Sequence, residues 1–413
     1  MNGDIPSRKP SWRKTFAALK HRNYRLWFWG QMVSLFGTWM QTTAQGFLIY
    51  QLTHSSAYLG YVGFAYGVPS WFFMLYGGVV ADRVSRRKLL IITQFIMMIL
   101  AFVLAALVFT GTVQPWHILV LAFGLGSANA FDAPARQAFV SEMVDREDLT
   151  NAVALNATMF NAALVVGPAI AGIIYAAFGP GWCFAVNGIS FIAVIIALAS
   201  MHFLPRTETS QHSSTLSALK EGIDYVRHQP MIRALIGLVA ATSLFGMSLG
   251  TLLPAWSVKV LHGNAATNGL LFSARGVGSL FGALTIATFG GSHVRGKFIT
   301  IGSLCFPVFI AFFAMTYWLP LSLLFMVFLG IATIFVANLS NATIQSIVPD
   351  SLRGRVMGVY TTIFIGSMPL GALLLGTIAE HAGEAKAALL SSAAAFCIAG
   401  LVMVFVPKIR TLE

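Results

Sequence analysis

Gly77-Gly78-Val79-Val80-Ala81-Asp82-Arg83-Val84-Ser85-Arg86-Arg87-Lys88 is a charged break between two apolar blocks. Neither 57–81 before it nor 89–110 after it carries a charged residue. About 20 apolar residues in a helix cross the hydrocarbon core of a bilayer, so each block is long enough to span it. The break itself crowds Asp82, Arg83, Arg86, Arg87 and Lys88 together, too many charges to sit in lipid. It therefore reads as a short loop at one membrane face, with a spanning helix on either side.

The same alternation runs outward in both directions. Apolar blocks fall at 25–50, 57–81, 89–110, 116–138, 150–177 and 182–204, and again at 233–256, 268–290, 298–318, 320–346, 355–379 and 386–406. This predicts an all-α membrane protein of twelve transmembrane helices. Composition agrees: of 413 residues, 57% are hydrophobic and only 10% charged, with mean hydropathy +0.77, against about 25% charged in soluble domains. Residues 1–24 are polar and basic, so the first block is expected to be a retained span and not a signal peptide. The longest polar break, 205–232, holds Thr209, Ser210, Gln211, His212, Ser213 and Ser214. Leu216, Leu219, Ile223 and Val226 then recur at helical spacing before Pro230, which predicts a short amphipathic helix on the membrane surface. Three parts result: an N-terminal six-helix bundle with a basic tail, 1–204; a linker, 205–232; and a C-terminal six-helix bundle, 233–413.

Assigning the breaks alternately to two sides puts 23 of the 26 Lys and Arg on the side of the termini, leaving Lys259, Arg275 and Lys386. The positive-inside rule then predicts cytoplasmic termini and a multi-pass protein of the inner (plasma) membrane. The net charge of +12 is thus a matter of topology, and no nucleic-acid partner is expected. Cys183, Cys305 and Cys397 stand singly in apolar blocks, with neither a disulfide framework nor metal-ligand spacing. No phosphate loop of the G-x-x-x-x-G-K type is present, so direct use of ATP is not expected, and no cofactor is predicted. An intramembrane enzyme would need catalytic groups clustered at mid-membrane, and none is visible.

The two sets of six spans repeat. At an offset of 209 residues, Leu59-Gly60 meets Asn268-Gly269, Gly67 meets Gly276, Arg86 meets Arg295, Lys88 meets Lys297, and Ala128-Asn129 meets Ala337-Asn338. Internal repeats near half the chain length are a feature of transporters.

With this frame in place, the opening stretch resembles the loop between helices two and three of the major facilitator superfamily, G-x-x-x-D-R-x-G-R followed by two basic residues. Gly78, Asp82, Arg83, Arg86, Arg87 and Lys88 match, and Ser85 replaces the second glycine. The resemblance implies a conformational latch in which Asp82 and Arg86 meet Asp132 near the end of span four, beside Arg136, while Asp82 faces the start of span eleven near Gly354, Arg353 and Arg355. Gly167-Pro168 and Gly172 on span five resemble the superfamily's antiporter motif, G-x8-G-x3-G-P-x-x-G-G, with Ala154, Ala163 and Ala171 in place of its other glycines. Asn23-Tyr24-Arg25, Ser34-Leu35-Phe36-Gly37-Thr38-Trp39-Met40-Gln41 and Pro134-Ala135-Arg136-Gln137-Ala138-Phe139 are similar to the branch containing enterobactin, drug and macrolide exporters. The resemblance covers nearly the whole chain.

Polar residues inside the spans mark the expected pathway. Gln31, Ser34, Thr38, Gln41 and Gln45 form one helical face of span one, and Asn338, Asn341 and Gln345 one of span ten. Such groups face the bundle interior or a wet cavity, not lipid; interhelical hydrogen bonding is the plainer alternative. Asn151, Thr158 and Asn161 form a weaker stripe on span five. Arg275 lies seven residues into span eight, about 10 Å deep at 1.5 Å per residue, where it either attracts an anionic substrate or snorkels to headgroups. No Asp or Glu lies at mid-span, which leaves Asp132 as the best proton carrier. The reading is a secondary active exporter of an amphipathic, siderophore- or drug-like small molecule. It is expected to work by alternating access and proton antiport, as a monomer in membrane lipid, with no metal site. The alternatives are an importer or lipid-moving relative, and a non-transporting membrane sensor.

Overall fold

The computed structural model describes residues 16–202, 215–289 and 294–411. Every regular element among them is helical. Six long helices come first: α1 (Arg22–Thr53), α2 (Ser56–Arg83), α3 (Arg86–Phe109), α4 (Pro115–Met143), α5 (Leu149–Phe178) and α6 (Pro180–Ala199). A short helix α7 (Thr215–His228) follows, then six more: α8 (Pro230–Lys259), α9 (Ala265–Phe289), α10 (Arg295–Ala314), α11 (Leu319–Ile347), α12 (Asp350–Ala382) and α13 (Glu384–Phe405). Proline at the first helical position opens α4, α6 and α8, where its missing N–H has no intrahelical partner to lose. Gly179 and Gly383, at φ 87° and 89°, make the abrupt joints between α5 and α6 and between α12 and α13, a conformation that favours glycine.

Ten of these helices are long and apolar enough to cross a bilayer. The other two of the expected twelve spans, α1 and α2, have the length, at 32 and 28 residues. The first is the less apolar because it carries the Gln-Ser-Thr stripe, while α2 has no charged residue from 57 to 81. They pack inside the same bundle, α1 against α5 and α6, α2 against α4 and α12. Span ends differ from the sequence expectation by up to five residues. The sixth helix stops at Ala199, short of 204, and the ninth span, α10, at Ala314, short of 318. Conversely α4 continues to Met143, because its last turns rise out of the apolar layer and carry Arg136 and Glu142.

The long polar linker is only partly described: Thr209, Ser210, Gln211, His212, Ser213 and Ser214 lie outside the described residues. Beyond them α7 docks on the start of α12 instead of resting only on a surface. Glu221 pairs with Arg355, Val226 is buried, and a methyl group at Gly222 would fall 2.7 Å from the Arg355 carbonyl oxygen.

One feature the periodicity concealed is a break in α8. Its α-helix stops at Ala241, becomes a π turn over Thr242–Met247 and a 3-10 turn over Ser248–Leu252, then resumes at Leu253. Such breaks shift the carbonyl ladder and leave polar groups to satisfy. Within the break Ser248 Oγ donates to the Ser243 carbonyl (3.1 Å), and Ser243 Oγ donates to the Phe364 carbonyl (2.5 Å) and Ser248 Oγ to the Met368 carbonyl (3.0 Å), tying the break to α12.

Apolar cores lie at both ends of the bundle. At the end of the basic loops there are two separate cores. One is built on Trp27, Leu90, Phe139 and Leu155 of the first six helices, the other on Ile232, Val336, Val356 and Tyr360 of the last six. At the opposite end, the core around Leu48, Ile49, Leu104 and Phe184 extends to Ala255 of α8 and Ala265 of α9. Beside it the last six helices keep a core of their own on Leu253, Trp256, Phe306 and Phe313.

Candidate functional site

The charged break after α2 uses its residues in four ways. Val84 and Ser85 take extended or near-extended backbone (φ −115° and −55°). No residue at the turn needs positive φ, so serine serves where the resembling motif has glycine. Arg86 Nη1 donates to Glu142 Oε1 on α4 (2.7 Å) and to the Ala138 carbonyl (3.4 Å). Arg87 donates from Nε to the Leu198 carbonyl (2.6 Å) and from Nη2 to the Ala199 carbonyl (2.7 Å), satisfying carbonyls left open at the C-terminus of α6. Arg83 and Lys88 are exposed.

Of the latch that the resemblance implies, the described side chains show the Arg86 and Asp132 ends. Arg86 finds its carboxylate at Glu142, ten residues beyond Asp132. Asp132 is 1% exposed and is held from α3. Thr93 Oγ1 (2.9 Å) and Gln94 Nε2 (2.8 Å) donate to its Oδ1, and Arg136 Nε lies 3.6 Å from Oδ2. Gln94 Oε1 is buried without a partner, so a flip of this amide would present an acceptor to a protonated Asp132. The Asp82 side chain lies outside the described set. The helix expected to start near Gly354 begins at Asp350, with Arg353 pairing to Asp350 and donating to the Gln345 carbonyl (3.0 Å). Nor is Gly78 the crowded glycine: a methyl group there meets nothing within 4 Å, whereas at Gly77 it would fall 2.5 Å from the Ala130 carbonyl oxygen of α4.

The polar stripe of α1 is buried: Gln31, Ser34, Gln41 and Gln45 are 1–6% exposed. Gln41 accepts from Asn187 Nδ2 of α6 (2.7 Å), and Thr38 Oγ1 donates back to the Ser34 carbonyl (2.9 Å). Gly30 and Gly37 bring α1 and α6 close, which turns the stripe partly toward α6. As an open cavity wall the stripe is corrected to its edge, the half-buried Thr38 and the exposed Thr42. The α11 stripe is open: Asn338 and Gln345 are exposed, and Gln345 donates to Asn341 (2.6 Å). On α5, Asn151 Oδ1 accepts the Ala18 N–H (2.9 Å), so this member of the weaker stripe anchors the N-terminal turn.

Arg275 is neither free nor at a headgroup. Its Nη1 donates to the Met247 carbonyl (3.2 Å), at the point where α8 changes from π to 3-10, and Gly250 leaves it room. Among the described residues no carboxylate pairs with it.

Two seams join the first six helices to the last six, and the glycines of the 209-residue repeat lie in both. In the α2–α12 seam, methyl groups at Gly60 and Gly67 would fall 2.7 Å from the Ala372 carbonyl oxygen and 2.0 Å from Pro369 Cγ. In the α5–α9 seam, methyl groups at Gly269 and Gly276 would fall 2.4 Å from the Pro168 carbonyl oxygen and 2.8 Å from that of Leu164. Gly172 meets Ala265 and Ala266 of α9, while Gly167 packs on Trp39 of α1. Small residues allow this approach, which in lipid gains its stability from van der Waals packing. Both seams hold toward the end opposite the basic loops. Toward the basic end, a cavity of about 290 Å³ opens between Met74 of α2, Pro134 of α4, and Met357, Gly358, Thr361 and Thr362 of α12.

Comparison with known proteins decides the family. The sequence profile described as "Transmembrane secretion effector" matches residues 13–413. This chain is a transporter of the transmembrane secretion effector family, in the major facilitator superfamily. The staphyloferrin A transporter of Staphylococcus aureus is 26% identical, covering 91% of this chain and 94% of that protein. The multidrug efflux pump Tap of Mycolicibacterium fortuitum is 26% identical over the same shares, and the enterobactin exporter EntS of Citrobacter koseri 24% over 97% and 96%. Among solved structures, the nucleoside transporter NupG superposes with TM-score 0.72 at 15% identity, covering 94% of this chain and 98% of that one. The bacterial homolog of the human lysosomal transporter Spinster gives 0.71 at 14%, covering 98% of each. As a major facilitator transporter this chain is a multi-pass membrane protein acting on small molecules, and not an enzyme.

Proposed function

We propose that this transporter exports an amphipathic organic compound, siderophore- or drug-like, out of the cytoplasm across the inner membrane. It works by alternating access of two six-helix halves, 1–204 and 233–413, joined by the linker 205–232, as a monomer driven by proton antiport. The carrying observation is the asymmetry of the α2–α12 seam, packed backbone to backbone at one end and leaving a cavity beside α4 at the basic end. With the basic end cytoplasmic by the positive-inside rule, this is the form that admits cargo from inside. Export of a siderophore and of drugs by the relatives supports the direction. Asp132 is the proton-carrying group and the Arg86–Glu142 pair belongs to the cytoplasmic latch. Gly167, Pro168 and Gly172 form the hinge of the α5–α9 seam. The deciding experiment is accumulation of a compound panel in cells lacking other pumps: this protein should lower the level of at least one amphipathic compound, and a raised level would indicate import.

Orientation has its own check. A reporter active only outside the cytoplasm should be silent when fused at residue 85 or 220 and active at 113 or 263; the opposite pattern refutes the assignment.

Arg275 gives the pathway a positive charge that no carboxylate among the described residues cancels. We expect Arg275→Ala to lower transport of an anionic compound about tenfold relative to a neutral one, a coupling within the ordinary range. Equal losses for both, at normal expression, would mean that Arg275 only braces the α8 break.

A further inference from the structure

We infer that Glu380 and Glu384 are the latch of the outer seam, the pair of side chains that holds this transporter closed at the end remote from its basic loops. Glu380, in the last turn of α12, reaches across to α2. Its Oε2 accepts the backbone N–H of Ser56 (2.7 Å) and of Ala57 (3.2 Å) and the hydroxyl of Ser55 (2.9 Å). The first N–H groups of a helix lack intrahelical partners and form its positive pole. Ser55, the residue before α2, makes no side-chain cap of its own. The cap of α2 is instead a carboxylate from the other half of the chain, 325 residues away in sequence from Ser55.

Glu384 completes the arrangement from α13. It is 6% exposed, and its Oε1 accepts both the Ser56 hydroxyl (2.7 Å) and Lys259 Nζ of α8 (2.7 Å). The Lys259 ammonium also stands over the Tyr50 ring of α1, 5.8 Å from its centroid. Directly below, Gly60 and Gly376 bring the two backbones together. Parting α2 from α12 breaks every contact of Glu380 at once and strips the Ser56 contact from Glu384. Charge-assisted hydrogen bonds of this kind are the strong ones, so the latch weights the balance toward the form closed outside and open inside. Lys259 is among the few cations off the basic side, and its place here follows: it balances Glu384 where two carboxylates converge on one helix start.

This inference rests on the alternating-access reading, and the test separates the two. Spin labels are placed at Leu52 and His381 on the outer end and, separately, at Ser141 and Ser346 on the basic end. Both pairs go into full-length protein whose Cys183, Cys305 and Cys397 are replaced by serine. Glu380→Gln with Glu384→Gln should raise the outer-open share by about tenfold, a typical coupling, lengthening the Leu52–His381 distance and shortening the Ser141–Ser346 distance. Ser56→Ala, which removes only one hydroxyl, should give a smaller shift of the same sign and guards against misfolding of the double variant. An outer distance unchanged in both variants, while substrate still moves the basic-end pair, would overturn the latch and leave alternation standing. Two pairs that never show a second distance, with or without substrate, would overturn both.

Discussion

Replacing Gly269 by leucine should abolish transport while leaving a folded, membrane-inserted protein. Gly269 has no room for even one methyl group, since its Cβ would fall 2.4 Å from the Pro168 carbonyl oxygen and 3.2 Å from Gly172 Cα. The conflict is with backbone on both sides, so no rotamer change relieves it. Overpacking of this sort costs about 1–3 kcal/mol or more. The cost arises only when the seam is shut. Opening the outer end removes it, so the strain goes into the conformational balance and not into unfolding. A shift of about 1–3 kcal/mol moves a two-state ratio by roughly 5- to 150-fold, enough to strand the protein away from the form in which this seam is shut. Gly60→Leu on α2 should act alike, because Gly60 holds the equivalent place in the other seam. Gly400→Leu is the control, as a side chain there meets nothing within 4 Å. Transport into vesicles and the outer-end label distance measure the effect. Normal transport by Gly269→Leu would show that the α5–α9 seam is not shut during the cycle.

Asp132→Asn should uncouple transport from the proton gradient. Asparagine keeps the shape and can still accept from Thr93 and Gln94 through its carbonyl oxygen, so the α3–α4 contact survives. What is lost is the buried carboxylate proposed as the proton carrier. We expect gradient-driven export to fall roughly 100-fold, toward the upper end of ordinary coupling energies. Exchange of labelled for unlabelled compound at equal pH should continue. If exchange falls as far as driven export, Asp132 is a structural partner of Arg136 and the proton is carried elsewhere. Gln94→Leu adds a second test. It removes both the donor now on Asp132 and the unpaired acceptor beside it, and should weaken driven export in the same direction by a smaller factor.

The sequence by itself determined the layers of this protein. Hydrophobic blocks, charge breaks and the 209-residue repeat depend only on what lipid tolerates, and lipid tolerates neither charges nor unpaired backbone groups. The family was also legible, because its loop motif is local and its residues are consecutive. Partners across the bundle were not. Glu142 and Asp132 stand on one helix ten residues apart, and periodicity gives no reason to prefer either for Arg86. The α1 stripe was correctly polar and its neighbour was not assignable: a helical face says which residues share a side, and only the approach of α6 through Gly30 and Gly37 says what that side meets. The π turn in α8 left no signature, since Ser248 from the same apolar block and Arg275 of α9 bond its carbonyls. Gly60, Gly67, Gly269 and Gly276 lie between. Their repetition was visible in the chain, but its reason, two backbone-tight seams toward one end of the bundle, exists only once α2 meets α12 and α5 meets α9. Which end of the transporter is shut is decided by contacts between residues hundreds of positions apart, and no local pattern can encode them.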